Sequence, residues 1–205
     1  MVRKESLTYF TYQARAGLLI LGGVTSESLT ILQVGLLVKL GMFPFHSWVV
    51  PVLYANTVPV ILTLLFPRKL PLFFYASGKF TICVACLTIL AGSLMAIFQR
   101  RILKTLIYSR ITTTGILVLC MEFEVFHSYF WFYIISFSLV LLQHSDSGML
   151  LNIGLINLIG FPPIPIFFAK LKLLRCALTE ISFLILVFSV LSMATYYYGK
   201  LIKIP

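Results

Sequence analysis

Apolar residues fill the chain in long runs, and most of the charge falls in the short interruptions between them. Reading each run as one membrane-crossing helix predicts spans over 7–24, 28–46, 56–76, 79–98, 103–121, 125–143, 148–176 and 181–201. The expected fold is all-α: a polytopic transmembrane helix bundle of about eight spans, forming a single transmembrane domain over 1–205. Two runs contain helix breakers. KLGMFPFHSW places Gly41 and Pro44 at the end of the second, and LIGFPPIPIFFAK places Gly160, Pro162, Pro163 and Pro165 inside the seventh. Both read as broken helices, the seventh also because 148–176 exceeds the roughly 20 residues of a straight crossing. Unwound backbone at membrane depth is tolerated only where protein or a water-filled cavity surrounds it, and in transporters such breaks mark the ion or substrate path.

Composition agrees with this reading. Of 205 residues, 60% are apolar, 15% aromatic and only 11% charged, whereas soluble domains carry about 25% charged residues. That excludes a soluble enzyme, a disordered chain and a disulfide-stapled one. The net charge is +10, from 16 Lys and Arg against 6 Asp and Glu. On a soluble protein such a balance would suggest nucleic acid. Here the cations are scattered among apolar runs, so the expected surroundings are membrane lipids and no nucleic acid. Cys83, Cys86, Cys120 and Cys176 all lie in apolar surroundings. The C-x-x-C within FTICVACLTIL therefore reads as buried thiols, and no metal site is expected. The N-terminus MVRKESLTYF is basic and then apolar, but the apolar spans simply continue, unlike a signal peptide before a mature domain. An Arg- and Ser-rich transit stretch is absent, as expected of an organelle-encoded or bacterial membrane protein.

The acidic residues Glu5, Glu27, Glu122, Glu124, Asp146 and Glu180 fall at loops or span ends. With eight spans, Arg3, Lys4, Arg100, Arg101, Lys104, Lys200 and Lys203 share one side, while Lys79 and Arg175 lie on the other. The positive-inside rule then puts both termini in the matrix or cytoplasm. The remaining cations, Arg15, Lys39, Arg68, Lys69, Arg110, Lys170 and Lys172, sit at membrane depth. A lysine at a helix centre costs about 2.5–3.5 kcal/mol on insertion scales, and the chain offers no Asp or Glu at that depth. Either some amines are neutral or acidic partners come from another polypeptide. Both alternatives point to proton chemistry, for which lysine is suited and arginine, which stays charged, is not.

Lys39 precedes the Gly41–Pro44 break and reads as a buried proton acceptor or as a snorkelling lysine near a helix end. Lys69 stands mid-span between Pro67 and Pro71, where snorkelling is difficult. Lys170 follows Pro165 in the second half of a broken span, with interfacial snorkelling as its alternative. Lys172 fits that alternative better. Arg15, Arg68 and Arg110 read as fixed charges or snorkelling heads. His46, in PFHSW, could give a proton relay access to the surface or could cap loose backbone. His127 and His144 fall at span ends. Thr112, Thr113 and Thr114 could line a hydrated path, although threonines in membrane helices more often bond their own backbone.

The run KLGMFPFHSW resembles the K-[LM]-G-x-x-P-F-H-x-W pattern of the subunit 2 family of mitochondrial NADH dehydrogenase, antiporter-like membrane subunits of respiratory complex I. Other segments are similar in the family's order. SLTYFTYQARAG (6–17) looks like its K-Y-F-L-x-Q-A segment, and QRRILKTLIYSRITTTG (99–115) like its basic loop and A-Y-S-S-I-x-H-x-G helix. GFPPIPIFFAK (160–170) looks like G-[LF]-P-P-x-x-x-F-x-x-K. Lys69 falls where the family's next helix has its buried lysine. Arg110 stands at the family's second serine and Thr113 at its histidine.

The resemblance implies a proton-translocating membrane-arm subunit of NADH:ubiquinone oxidoreductase in the mitochondrial inner membrane, with termini on the matrix side. Lys39, Lys69 and Lys170 would form the proton relay, with His46 as access. It implies no cofactor on this chain; FMN, iron–sulfur clusters and ubiquinone belong to other subunits, as does the NADH site. Other complex I membrane-arm subunits are the implied partners. The family's glutamate, in a W-x-G-x-E motif on an earlier helix that pairs with the lysine at position 39, has no counterpart here. A separate polypeptide is expected to supply those N-terminal helices and that acid. The rival readings are a structural or assembly subunit that does not itself pump, and a stand-alone secondary cation or proton transporter.

Overall fold

The computed structural model describes residues 2–55, 70–75, 78–99, 102–122, 126–142 and 165–177. The regular structure there is helical: α1 (Val2–Thr25), α2 (Leu29–Leu40), a 3-10 turn (Phe45–Trp48), α3 (Val49–Ala55), α4 (Leu70–Tyr75), α5 (Lys79–Ile97), α6 (Ile102–Glu122), α7 (Phe126–Leu142) and α8 (Pro165–Ala177). The all-α expectation holds for these residues. Much of the expected third and seventh spans and all of the eighth lie outside them. Among the described residues, two stretches, Leu29–Tyr54 and Lys79–Ile97, are by themselves long and apolar enough to cross a membrane. The chain groups into two compact units, Met1–Val118 and Leu119–Pro205.

In the first unit, α1 and α2 form an antiparallel hairpin. The reversal is tight because the last turn of α1 satisfies its own carbonyls: the Thr25 and Ser26 hydroxyls donate to Gly22 O at 3.1 and 2.6 Å, and Ser28 N–H donates to Gly23 O at 3.1 Å. Glu27 turns the chain in the left-handed region, at φ 51°. The two helices then meet almost backbone to backbone. A methyl group on Gly23 would fall 2.5 Å from Leu32 N, and one on Gly35 would fall 2.9 Å from Ile20 N. In lipid there is little hydrophobic drive to associate helices, so small residues that permit close approach and dispersion contact hold them together.

The same device joins α5 to α6. A methyl on Gly92 would lie 2.9 Å from Thr112 N, and one on Gly115 would lie 2.9 Å from Ala85 O. Helix α6 is buried from Thr105 to Val118 except at Tyr108 and Thr113, although Thr105, Ser109, Arg110, Thr112 and Thr114 lie within that enclosed stretch. On α5, Ala85, Ile89 and Ala96 face inward while Phe80, Leu87 and Leu94 face out. Cys83 is exposed on that outer face and Cys86 is half-buried, so the expectation of buried thiols is corrected at Cys83. Cys120 is buried.

In the second unit, α7 packs against α8. Stacked rings run along α7 at four-residue spacing: Phe126 on Phe130 at 5.0 Å, Tyr129 on Tyr133 at 6.3 Å and Tyr133 on Phe137 at 5.7 Å. Helix α8 opens on Pro165, whose missing N–H is harmless in a first turn. It buries Ile166, Ala169, Lys170 and Leu173, and exposes Phe168 and Leu171.

The glycine contacts give a direct test. Gly35→Val forces a side chain into Ile20 and is expected to lower stability in detergent by about 1–3 kcal/mol. Gly22→Ala, where a methyl meets nothing within 4 Å, is expected to be neutral or stabilising, since alanine favours helix by about 1 kcal/mol. Thermal unfolding of the two variants beside the parent chain measures both.

Candidate functional site

The candidate site is built around the end of α2. Leucines and valine carry the helix as far as Leu40, and Gly41 stops it in the left-handed conformation at φ 73° and ψ 40°. A side chain there would incur the usual left-handed penalty and meet Trp48 and Val49. The stop is a Schellman motif: Met42 N–H donates to Leu37 O at 3.1 Å and Gly41 N–H to Val38 O at 3.2 Å. The Phe43–Pro44 peptide is cis, and the chain then re-enters helix through the 3-10 turn.

Away from water, the backbone groups of this break need other partners. Two side chains supply them. Phe43 N–H donates to the Thr88 hydroxyl of α5 at 3.0 Å, and that hydroxyl donates to Val84 O at 2.6 Å. The Trp48 indole N–H donates to Val38 O at 3.2 Å. The Trp48 ring lies 5.7 Å from that of Tyr9, and the Tyr12 hydroxyl reaches Ser47 Oγ at 3.3 Å. So α1 holds one side of the break and α5 the other. The role of Thr88 is not signalled by local sequence, because its partner Phe43 lies 45 positions away; the Trp48–Val38 bond closes across the break itself.

Lys39 is the penultimate residue of α2 and is half-buried. It stands in the last turn, where the partial negative charge of the helix C-terminus favours a cation. His46 is also half-buried, in the 3-10 turn, with its ring stacked on Phe43 at 5.7 Å. Its Nδ1 is buried and has no hydrogen-bond partner among the described residues. Buried polar atoms lacking a protein partner are ordinarily satisfied by water. The break thus places Lys39 and His46 on either side of one irregular turn.

Lys69 and Arg68 lie outside the described residues. Lys170 belongs to the second unit, on the inner face of α8, with 9% of its surface exposed. Lys172 and Arg175 are on the exposed side of the same helix. Arg110 is 1% exposed on α6, which corrects the snorkelling alternative: its guanidinium is a fixed charge enclosed by protein. The threonines beside it bond their own helix, Thr112 to Tyr108 O at 3.1 Å, Thr113 to Arg110 O at 2.9 Å and Thr114 to Ile111 O at 2.7 Å. As hydroxyl donors they are occupied, as expected for threonine in a membrane helix. His127 is exposed in the first turn of α7.

Comparison with known proteins places this geometry. The sequence profile described as NADH:quinone oxidoreductase/Mrp antiporter, TM, matches residues 7–144. Among solved structures, a chain of respiratory complex I from Thermus thermophilus with bound aureothin superposes with a TM-score of 0.77 at 21% identity, covering 96% of this chain and 58% of that one. A chain of the Mrp complex from Dietzia sp. superposes with a TM-score of 0.75 at 15% identity, covering 96% of this chain and 50% of that one. The chain therefore spans 50–58% of the length of these two solved chains, and at these identities the likeness is one of fold.

Removing either side-chain partner of the break should loosen it. Thr88→Val leaves Phe43 N–H without its acceptor and is expected to lower stability by about 1–3 kcal/mol. Thr88→Ser, which keeps the hydroxyl, should stay near the parent value. Unfolding in detergent with amide hydrogen exchange at Phe43 checks this: exchange should quicken in the valine variant only.

Proposed function

The chain belongs to the NADH:quinone oxidoreductase/Mrp antiporter transmembrane family, and we propose that it works as a proton-translocating, antiporter-like subunit of the membrane arm of an NADH:quinone oxidoreductase. Within that family its motifs fit best with subunit 2 of the mitochondrial enzyme, which would place it in the inner mitochondrial membrane beside other membrane-arm subunits. The observation that carries the reading is the satisfied helix break directly after Lys39, inside the stretch that the family profile matches. An amine beside unwound backbone has neighbouring groups that can rearrange and admit water, which an unbroken helix in lipid does not provide.

In this reading Lys39, Lys69 and Lys170 exchange protons at membrane depth. His46, whose buried Nδ1 has no hydrogen-bond partner among the described residues, links Lys39 to one side of the membrane. The enclosed charge of Arg110 biases the path electrostatically without itself losing a proton, since guanidinium remains protonated near neutral pH. Moving one charge against 100 mV requires about 2.3 kcal/mol, equivalent to about 1.7 pH units of proton affinity. Buried lysines can be tuned over that range by their surroundings. Redox chemistry, with FMN, iron–sulfur clusters and ubiquinone, is assigned to other subunits. A carboxylate near Lys39 completes the arrangement.

Proton translocation per electron, measured on the assembled complex in sealed vesicles, tests the reading. Lys39→Met and Lys170→Met are each expected to lower the ratio, while Lys172→Met, on the exposed side of α8, should leave it unchanged. A parent ratio in both relay variants, with the complex assembled, would favour the structural subunit instead. Ion transport by the purified chain alone in liposomes would favour the stand-alone transporter.

A further inference from the structure

Helix α1 is continuous where its neighbour is broken. Its inner face, Tyr9, Tyr12, Ala16, Ile20 and Gly23, recurs at intervals of three and four residues and is buried or half-buried throughout. Four contacts step along that face in antiparallel order. Gly23 lies against Leu32 and Ile20 against Gly35, both on α2. Tyr12 then meets Ser47 and Tyr9 meets Trp48, both in the 3-10 turn. The first pair fastens α1 to the chain before the break, and the second pair fastens it to the chain after. From Ile20 to Tyr12 the helix covers about 12 Å at 1.5 Å per residue. It therefore splints the joint between α2 and the turn.

The two fastenings differ in kind. At Gly23 and Gly35 the helices touch through their backbones. At Ser47 the bond joins two hydroxyls at 3.3 Å, longer than the roughly 2.5–3.0 Å usual for O–H···O, and Ser47 is exposed. On the other side of the turn the His46 ring stacks on Phe43, whose N–H is held by the buried Thr88 hydroxyl at 3.0 Å. His46 thus stands between a short bond to α5 and a long one to α1. We propose that Tyr12 is a positioning residue for His46. Its hydroxyl, through Ser47, fixes the 3-10 turn, and Tyr9 steadies the adjoining Trp48. When the hydroxyl pair parts, the turn pivots on the Phe43 anchor and the His46 ring leaves its place. Tyr12 so decides when His46 is aligned, which deepens, and for its effect on proton flow rests on, the reading of His46 as the access group for Lys39.

Amide hydrogen exchange and nitrogen NMR of the histidine-labelled full chain in lipid bilayers test this, with His46→Gln assigning the His46 signals. The amide to follow is Val49, whose N–H closes the turn on His46 O. Tyr12→Phe, which keeps the ring, and Ser47→Ala should each quicken its exchange by about threefold to tenfold. Combined, they should do no more than either alone, because both remove one shared bond. The ring-nitrogen signals of His46 should shift or broaden in Tyr12→Phe. Ser47→Thr, which keeps the hydroxyl, should match the parent, as should Thr11→Val, whose hydroxyl bonds Thr8 O at 2.9 Å within α1. On the assembled complex, Tyr12→Phe should lower the protons translocated per electron. Parent exchange in Tyr12→Phe, additive effects in the double variant, or His46 signals unmoved while exchange quickens would each overturn the proposal. So would a parent proton ratio in Tyr12→Phe beside a lowered one in His46→Gln. A parent ratio in His46→Gln would instead remove the access role, leaving the exchange and NMR results to stand, so the two failures are read separately.

Discussion

Everything around the candidate site depends on one constraint: a peptide group shielded from water must find a hydrogen-bond partner in the protein. An unbroken helix meets that constraint internally; the segment after Lys39 does not. The chain resolves the difficulty locally through the Gly41 Schellman turn and the Trp48–Val38 bond, and at long range through Thr88. Once those bonds exist, irregular backbone can persist between α1 and α5 without a large penalty. That irregularity sets a lysine in the last turn of α2 and a histidine in the 3-10 turn, with unwound backbone between them in sequence.

Charge obeys a parallel economy. Lys39 stands at a helix C-terminus, where aligned peptide dipoles partly offset a cation. Arg110 is enclosed on α6, and Lys170 occupies the inner face of α8. Three cations are thus handled in three environments, and chemistry divides them further. Lysine amines as a class can be brought to lose a proton by their surroundings, whereas a guanidinium stays charged.

The sequence foretold the helical class, the stop at Gly41 and the self-bonding of Thr112–Thr114, because each depends on local geometry or on the scarcity of water. It could not tell that Arg110 is enclosed while Arg15 is exposed. Both are single charges in apolar helices, and only packing decides which side faces protein. The case of Cys83 has the same origin: large apolar residues occur on both the exposed and the buried sides of α5, so they do not by themselves mark an inward face. Thr88 was invisible for a different reason. Its partner, Phe43 N–H, lies 45 positions away, and nothing in FTICVACLTIL sets that threonine apart from Thr81.

The contact of α1 with α2 through Gly23 and Gly35 has a mechanical consequence. With main chain seated against main chain, few side-chain rotamers lie between the two rods to absorb a displacement. They therefore tilt as one lever rather than slide past each other. Lateral pressure applied to the outer rod would reach the amine at the far end of the inner one with little slack.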